Sequence, residues 1–451
     1  MLAEAAQAEA GPFARPGALS RRLQKLLPLG RLAVSRGAAI VAQFAAQLVV
    51  GLSAGAAGLG LLQLFTSWTC IAGELLGLGW PSRAMRQVAV DYANGHGDRV
   101  AEVLRRARGT ILRTWLLLLL VCIPALMVWL GQKGSESGEY GHLLLAVALG
   151  APLFALMRLY ADSLKGAGAA LPAVTLESLT SPVALLLVCG ACWVAGQPIA
   201  AIILVATFGA SLALTVLALK HSLGHQLSHL APRRENHGSP EEPAPPPRGD
   251  LFYLWGTGVL SIGFVHLPFL VLPLYVDPAE IGVFAVAHKL INIVTTLLLI
   301  LAAVYGPAFA RSAAIRDRTE LRNLLRKTQL ISTAVFVPSA IVLLALAPYL
   351  AGLFGDEFGD LQHFLLLLAA GHLVNAATGL AGVLLSMAGL ASREAASLLL
   401  ALTLALALSL WVGPRYGATG LAIVFSGSIA LKNIASWLLA RQFLNSAGER
   451  P

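Results

Sequence analysis

The chain consists of long apolar stretches separated by short polar turns. At least eleven apolar stretches of about 20 residues lie between Arg31 and Arg441, and this length matches a helix that crosses the roughly 30 Å hydrocarbon core of a bilayer. The pattern predicts an all-α polytopic membrane protein with twelve transmembrane helices, at about 35–55, 59–79, 112–131, 142–164, 172–194, 198–219, 252–276, 282–306, 330–354, 361–387, 395–413 and 417–439.

Composition agrees with a bilayer environment. Hydrophobic residues make up 57% of the 451 residues and charged residues 12%, whereas soluble domains carry about a quarter charged residues. The 44 glycines suit helices that associate in lipid through close contact over small residues. The CxxC spacing of Cys189 and Cys192 lies inside an apolar run, where packing is expected rather than metal or redox chemistry. We expect no metal and no cofactor.

Basic residues indicate how the helices are oriented. If the N-terminus is cytoplasmic, all but four of the 32 Lys and Arg residues lie in or beside inner segments, the four being Lys133, Lys289, Arg415 and Lys432. Under the positive-inside rule this asymmetry places both termini in the cytoplasm. The positions of the basic residues are thus explained by the orientation of the helices in the membrane, so we expect no nucleic-acid partner.

A polar, proline-rich segment divides the predicted helices into two groups of six. It contains PRRENHGSPEEPAPPPRGD, a composition that favours neither a helix nor a packed core. The predicted organisation is a cytoplasmic tail at 1–34, a bundle at 35–219, the linker at 220–250, a second bundle at 251–440 and a cytoplasmic tail at 441–451.

The two halves resemble each other. GLGLLQLF from Gly58 corresponds to GVFAVAHK from Gly282, and LKGAGAALPAVTLESL from Leu164 corresponds to LSMAGLASREAASLLL from Leu385. Both pairs are displaced by about 220 residues, as expected of a duplicated unit. Two like-oriented bundles predict a pseudo-two-fold axis along the membrane normal, with a cavity between the bundles.

Ionisable side chains inside the predicted spans are the candidates for function, since each costs about 3 kcal/mol or more near the bilayer centre unless it is paired or reaches water. Several cations at different depths favour an anionic cargo such as a diphosphate. The candidate substrate-binding residues are therefore Lys289, Arg36, Arg158, Lys432 and His266. The candidates for coupling transport to an ion gradient are Glu74, Glu177 and Asp162.

These residues also have structural interpretations. Arg36 lies about one turn inside the membrane edge, from where its side chain can reach the headgroups. Arg158 and Asp162 are one helical turn apart and suit a local ion pair, and the two glutamates can pair with either arginine. A lone histidine on an apolar helix, as at His266 and His372, is often hydrogen-bonded to a neighbour.

Several motifs resemble a known transporter family. The resemblance rests, in chain order, on GVFAVAHKL, YGPAFARS, RDRTELRNLLRKT, APYLAGLFGDEFGDLQHFLLLLAAGHLVN and VGPRYGATGLAIVFS. These segments, over about 280–430, are similar to the second half of the polysaccharide-flippase branch of the multidrug/oligosaccharidyl-lipid/polysaccharide (MOP) exporter superfamily. The first half matches more loosely, through GLGLLQLFTSW and LGWPSRAMRQVA.

The resemblance implies a V-shaped pair of bundles that opens alternately to the two sides of the bacterial inner membrane. Its cargo would be a polyprenyl-diphosphate-linked oligosaccharide, moved from the cytoplasmic to the periplasmic leaflet for surface polysaccharide synthesis. Lys289 falls where family members often carry a basic residue in helix eight. The implied partners are the glycan lipid, the bilayer, and a polysaccharide polymerase or other assembly protein. No enzyme activity is expected, because transport makes no covalent bond.

Two other functions stay open at this point. A cation-coupled multidrug exporter of the same superfamily would favour carboxylates and aromatic residues in the cavity, yet the spans carry at least as many cations as carboxylates. A membrane glycosyltransferase or polymerase would need paired carboxylates on a sizeable loop, and DEFGD is the only acidic cluster in the predicted outer loops.

Overall fold

A computed structural model describes residues 18–133, 138–197, 199–228 and 248–446. The described residues are almost entirely helical and contain no strand. Most of the proline-rich linker, the first 17 residues and the last five lie outside them, so what the sequence predicts for those segments stays a prediction.

The described residues form helices α1 to α12. Their bounds are α1 Ala18–Gly77, α2 Trp80–Ala93, α3 Gly97–Lys133, α4 Gly138–Gly166, α5 Ala170–Val194, α6 Ala201–Ser228, α7 Arg248–Val271, α8 Pro278–Ala314, α9 Arg318–Phe354, α10 Leu361–Thr378, α11 Ala381–Met387 and α12 Ala391–Asn445. Short 3₁₀ turns follow α7, at Leu272–Leu274, and α9, at Asp356–Phe358. Nine helical segments among the described residues are long and apolar enough to cross a membrane.

Two of these helices break in the middle. α1 breaks at Gly55 (φ 67°, ψ −174°) and α12 at Gly417 (φ 51°, ψ −142°). Positive φ costs glycine little because it has no Cβ, so each helix stops and restarts at that residue. Both breaks coincide with turns that the hydrophobic pattern predicts between consecutive spans. The all-helical architecture is thus confirmed for the described residues, while the count of twelve crossings stays a prediction.

Many helix ends differ from the predicted spans, and three cases show how. α1 begins at Ala18, inside the predicted tail, and α6 continues to Ser228, inside the predicted linker. The single span predicted over 361–387 is divided into α10 and α11 at Gly379 (φ 62°). Hydropathy locates the part of a helix that lies in lipid, whereas polar residues can carry the same helix on into water. The pattern therefore finds the spans better than the helix ends.

Helices α1 to α6 pack together as the N-terminal half, and α7 to α12 as the C-terminal half. α1 contacts α4, α5 and α6 within its half, and α12 contacts α7, α10 and α11 within the other. The two halves meet mainly where α1 packs against α7 and α8. We call the end that carries Gly55, Pro278, Glu357 and Gly417 the outer end, following the charge pattern of the loops.

The closest approach between the halves is reciprocal. A Cβ on Gly60 would overlap the carbonyl oxygen of Pro278, and a Cβ on Gly282 would overlap the carbonyl oxygen of Ala56. Each glycine thus faces the residue four positions before the other glycine. Such a reciprocal contact is what a two-fold relation between α1 and α8 produces, and it agrees with the duplication read from the sequence.

Gly282 should therefore tolerate no larger side chain. We expect Gly282→Leu to lower stability by about 1–3 kcal/mol or more, because a packed backbone has to move apart. Thermal unfolding of the detergent-purified protein, followed by size-exclusion chromatography, measures this. Gly427→Leu is the matched control, since no atom lies within 4 Å of a Cβ built there. Equal losses for the two variants would contradict the proposed close contact.

Candidate functional site

A cavity of about 390 Å³ lies between the two halves. It is lined by α1, α4, α5 and α6 of the N-terminal half and by α7 and α8 of the C-terminal half. On α1 the lining runs from Ile40 to Thr66, and on α8 it ends at Thr296. The cavity therefore lies at the interface where the repeat predicts one.

Lys289 of α8 lines this cavity, together with His266 of α7. Among the described residues that line it, Lys289 is the only Lys or Arg. It forms no ion pair with an acidic side chain of the described residues, whereas Arg158, Lys165 and Lys432 are each paired with a carboxylate. Eleven residues separate it from the start of α8, which places it roughly 16 Å along the helix axis.

Uncharged polar residues make up much of the remaining polar lining. They are Gln43, Gln47, Gln63 and Thr66 of α1, Ser178 and Ser181 of α5, and Asn292 and Thr296 of α8. The charge-based reading of the sequence missed them. Their spacing in the sequence could have revealed them. Polar residues recur three or four positions apart on otherwise apolar helices, which places them on one face.

His266 is held by a hydrogen bond between the halves. Its Nδ1 lies 2.9 Å from the Ser67 hydroxyl oxygen, which also accepts a hydrogen bond of 2.9 Å from Gln63 Nε2. A second hydrogen bond joins the same two helices, because Trp68 Nε1–H donates to the Phe269 carbonyl at 2.8 Å. The structural interpretation of His266 as a satisfied histidine therefore holds, while its ring still faces the cavity.

The other two spanning histidines have different surroundings. His288 lines the cavity, stacks on Phe284 with 6.2 Å between ring centroids, and lies 3.2 Å from Asn292 Nδ2. His372 is 6% exposed and is outside the cavity lining. Neither of its ring nitrogens has a hydrogen-bond partner among the described residues.

Four charged side chains of α4 and α5 form a closed network. Arg158 contacts Asp162 at 3.5 Å and Glu177 at 3.3 Å. Lys165 contacts the same two carboxylates, at 3.0 Å and 2.9 Å. The predicted Arg158 and Asp162 pair is present, and it is extended by two residues. Arg158 is therefore ion-paired with these carboxylates. The negative charge of Glu177, which lines the cavity, is compensated by two cations.

The remaining candidates lie apart from the cavity lining. Glu74 forms no ion pair among the described residues, and its Oε1 lies against Gly258 of α7, where a Cβ would overlap it. Lys432 forms a 2.5 Å ion pair with Glu394, a partner that the sequence did not reveal. Arg36 is exposed, as its snorkelling interpretation requires.

The arrangement suits an anion. Lys289 has no counter-ion in the part of the chain that the structure describes, while the negative charge of Glu177 is compensated by Arg158 and Lys165. Charges interact more strongly in a low-dielectric interior than in water. Neutral hydrogen-bond donors line the same cavity, and such groups can bind phosphate or sugar oxygens.

Comparison with solved structures identifies the fold. An inward-facing multidrug resistance MATE family transporter of the MOP superfamily is 16% identical, with a TM-score of 0.69 over 91% of this chain and 96% of that one. The lipid II flippase MurJ, in an inward closed conformation, is 14% identical, with a TM-score of 0.65 over 91% of this chain and 87% of that one. A MOP transporter from Pyrococcus furiosus, described as having a binding pocket of reverse polarity, is 15% identical, with a TM-score of 0.56 over 92% and 94%.

Sequence comparison matches one segment of the chain to a family model. Residues 252–361 match the model of a family described as polysaccharide biosynthesis protein. By sequence, no curated protein matches the chain. The fold and this match together confirm the resemblance drawn from the sequence motifs.

Proposed function

We propose that this chain, with its MOP-superfamily fold and its polysaccharide-biosynthesis segment, is a polysaccharide-type flippase. It moves a polyprenyl-diphosphate-linked oligosaccharide from the cytoplasmic to the periplasmic leaflet of the bacterial inner membrane. The observation that carries the proposal is Lys289, which lines a cavity between the two halves and has no acidic partner among the described residues.

A diphosphate headgroup needs compensating charge once it leaves the membrane surface. An ammonium group with free N–H donors compensates phosphate charge. Lys289 provides such a group inside the membrane span, where an uncompensated phosphate charge would be costly. Pockets for small ligands have volumes of about 300–1,000 Å³. At about 390 Å³ the cavity suits the diphosphate and the nearest sugar, with the rest of the glycan extending from it.

Transport then requires no covalent chemistry. The lipid tail stays in the bilayer while the headgroup crosses, and the protein alternates between two states that contact the cargo differently. No enzyme activity, cofactor or metal enters this scheme. Glu74, the candidate carboxylate that lacks an ion pair, is the one we assign to ion coupling, in preference to the paired Asp162 and Glu177.

The multidrug-exporter alternative fits this cavity less well. A cationic drug needs a free carboxylate, and the described lining offers only Glu177, which is bound to Lys165 and Arg158. A glycosyltransferase or polymerase would require a pair of free catalytic carboxylates near the cargo, and the same two ion pairs argue against that role for Glu177.

Proteoliposomes test the proposal. They would contain the purified protein and a fluorescent polyprenyl-diphosphate oligosaccharide, and the fraction of glycan protected from an added glycosidase is followed over time. Ethidium flux is measured in parallel. We expect protein-dependent movement of the glycan without ethidium flux. Ethidium flux alone would replace this proposal with the drug-exporter function.

A further inference from the structure

A carboxylate from one half caps the broken helix of the other half. The backbone N–H of Ala56 donates to Glu357 Oε2 at 2.7 Å. Ala56 belongs to α1, directly after the break at Gly55, while Glu357 lies in the 3₁₀ turn after α9. The first N–H groups of a helix have no partner within it, and a carboxylate at that position is favourable. The contact thus joins the halves at the outer end.

An aromatic side chain reinforces this contact. Phe354, the last residue of α9, is 3% exposed and packs edge-on against Phe44 of α1, with 6.1 Å between ring centroids. A Cβ on Gly51 would lie 2.8 Å from Phe354 Cδ1. The absence of a side chain at Gly51 therefore provides the space that the ring of the other half occupies.

These contacts lie at the outer boundary of the cavity. Val50 lines the cavity and is fully buried, and it directly precedes Gly51. Both contacts join the two halves on the outer side of the cavity, so the halves are closed against each other there.

We propose that Phe354 and Glu357 form an outer latch that holds the cavity closed to the outside. Opening requires the Glu357 carboxylate to leave the Ala56 N–H and the Phe354 ring to leave Gly51. Gly55 is the point where α1 bends in that step, because the segments on either side of it are separate helices. The latch acts on the conformational equilibrium and does not depend on which cargo is carried.

The chain contains a matched contact that lacks this role. Glu280, in the first turn of α8, lies near the backbone N–H of Ala418, directly after the break at Gly417. Both glutamates therefore lie beside a helix start that follows a glycine with positive φ. The Glu280 contact joins α8 to α12 within one half, so opening between the halves leaves it intact.

Accessibility of position 50 tests the latch. Val50→Cys is introduced into a chain whose four native cysteines are replaced, and a membrane-impermeant maleimide is added to right-side-out vesicles. The labelling rate reports the fraction of molecules open to the outside. Asp356→Cys, exposed in the same turn as Glu357, verifies that this end faces the reagent.

We expect Glu357→Ala to raise the labelling rate by about tenfold, the size expected for one charged hydrogen bond. Gly51→Leu should raise it at least as much, because the new side chain displaces Phe354 from the opposite half. Glu280→Ala should leave the rate within about twofold of the parent. Equal labelling of the Glu357→Ala and Glu280→Ala proteins would overturn the latch, whether or not Gly51→Leu folds.

Discussion

Replacing Lys289 with methionine is expected to lower the rate of glycan-lipid transport by about tenfold or more while the protein still reaches the membrane. The substitution removes the charge and keeps most of the length of the side chain. Charge-assisted hydrogen bonds contribute about 1.5–3 kcal/mol each, and about 1.4 kcal/mol is a factor of ten in affinity. The proteoliposome assay with the fluorescent glycan lipid measures the rate.

Two further variants separate charge from shape at this position. Lys289→Arg keeps the cation and should retain most of the activity, whereas Lys289→Glu should be less active than the methionine variant, because it repels a diphosphate. Arg415→Ala removes one positive charge from an exposed outer position that stacks on Trp411 and should have little effect. Transport at the parental rate by Lys289→Met would remove this lysine from the mechanism.

The hydrophobic pattern was sufficient for most of the fold. Apolar stretches of the length of the bilayer locate the helices, and the breaks at Gly55 and Gly417 fall at predicted turns because polar or glycine-rich residues must accompany a reversal of direction in the membrane. The duplication was also visible, and the reciprocal contact of Gly60 and Gly282 gives it a physical form. The position of a helix end in water leaves no comparable signal in hydropathy.

The site could be predicted only in part, for a different reason. A charge in a membrane span is conspicuous in a sequence, so Lys289, His266 and three of the four members of the α4 and α5 network could be singled out, but not Lys165. Whether such a charge is free or paired depends on residues far away in the chain. Lys432 illustrates this, since its partner Glu394 lies just before a predicted span on another part of α12.

Neutral polar residues were the larger omission. Gln43, Gln47 and Asn292 line the cavity, but they cost less to bury than charges and stand out less in an apolar sequence. Contacts between the halves were also invisible, because the Glu357 and Ala56 hydrogen bond joins residues 301 positions apart. Sequence patterns therefore predict the helices of each bundle better than they predict the contacts between the two bundles.

Arg158→Met is expected to destabilise the protein by about 2–3 kcal/mol. Removing one partner of a buried ion pair costs about 3–5 kcal/mol because the other charge stays uncompensated, and the partial exposure of Arg158, at 30%, reduces this cost. Lys165 alone would then face the carboxylates of Asp162 and Glu177. Thermal unfolding in detergent measures the loss, and the double variant Arg158→Met/Glu177→Gln should recover much of it.

A surface pair provides the matched control for this network. Arg106 contacts Glu102 at 2.6 Å in α3, with the Arg106 side chain 71% exposed, and an exposed pair contributes about 0–1 kcal/mol. Arg106→Met should therefore cost less than Arg158→Met. If the double variant at 158 and 177 is stable and still transports, the network serves to neutralise Glu177 beside the cavity. If it is stable but inactive, the Arg158 and Glu177 pair itself takes part in transport.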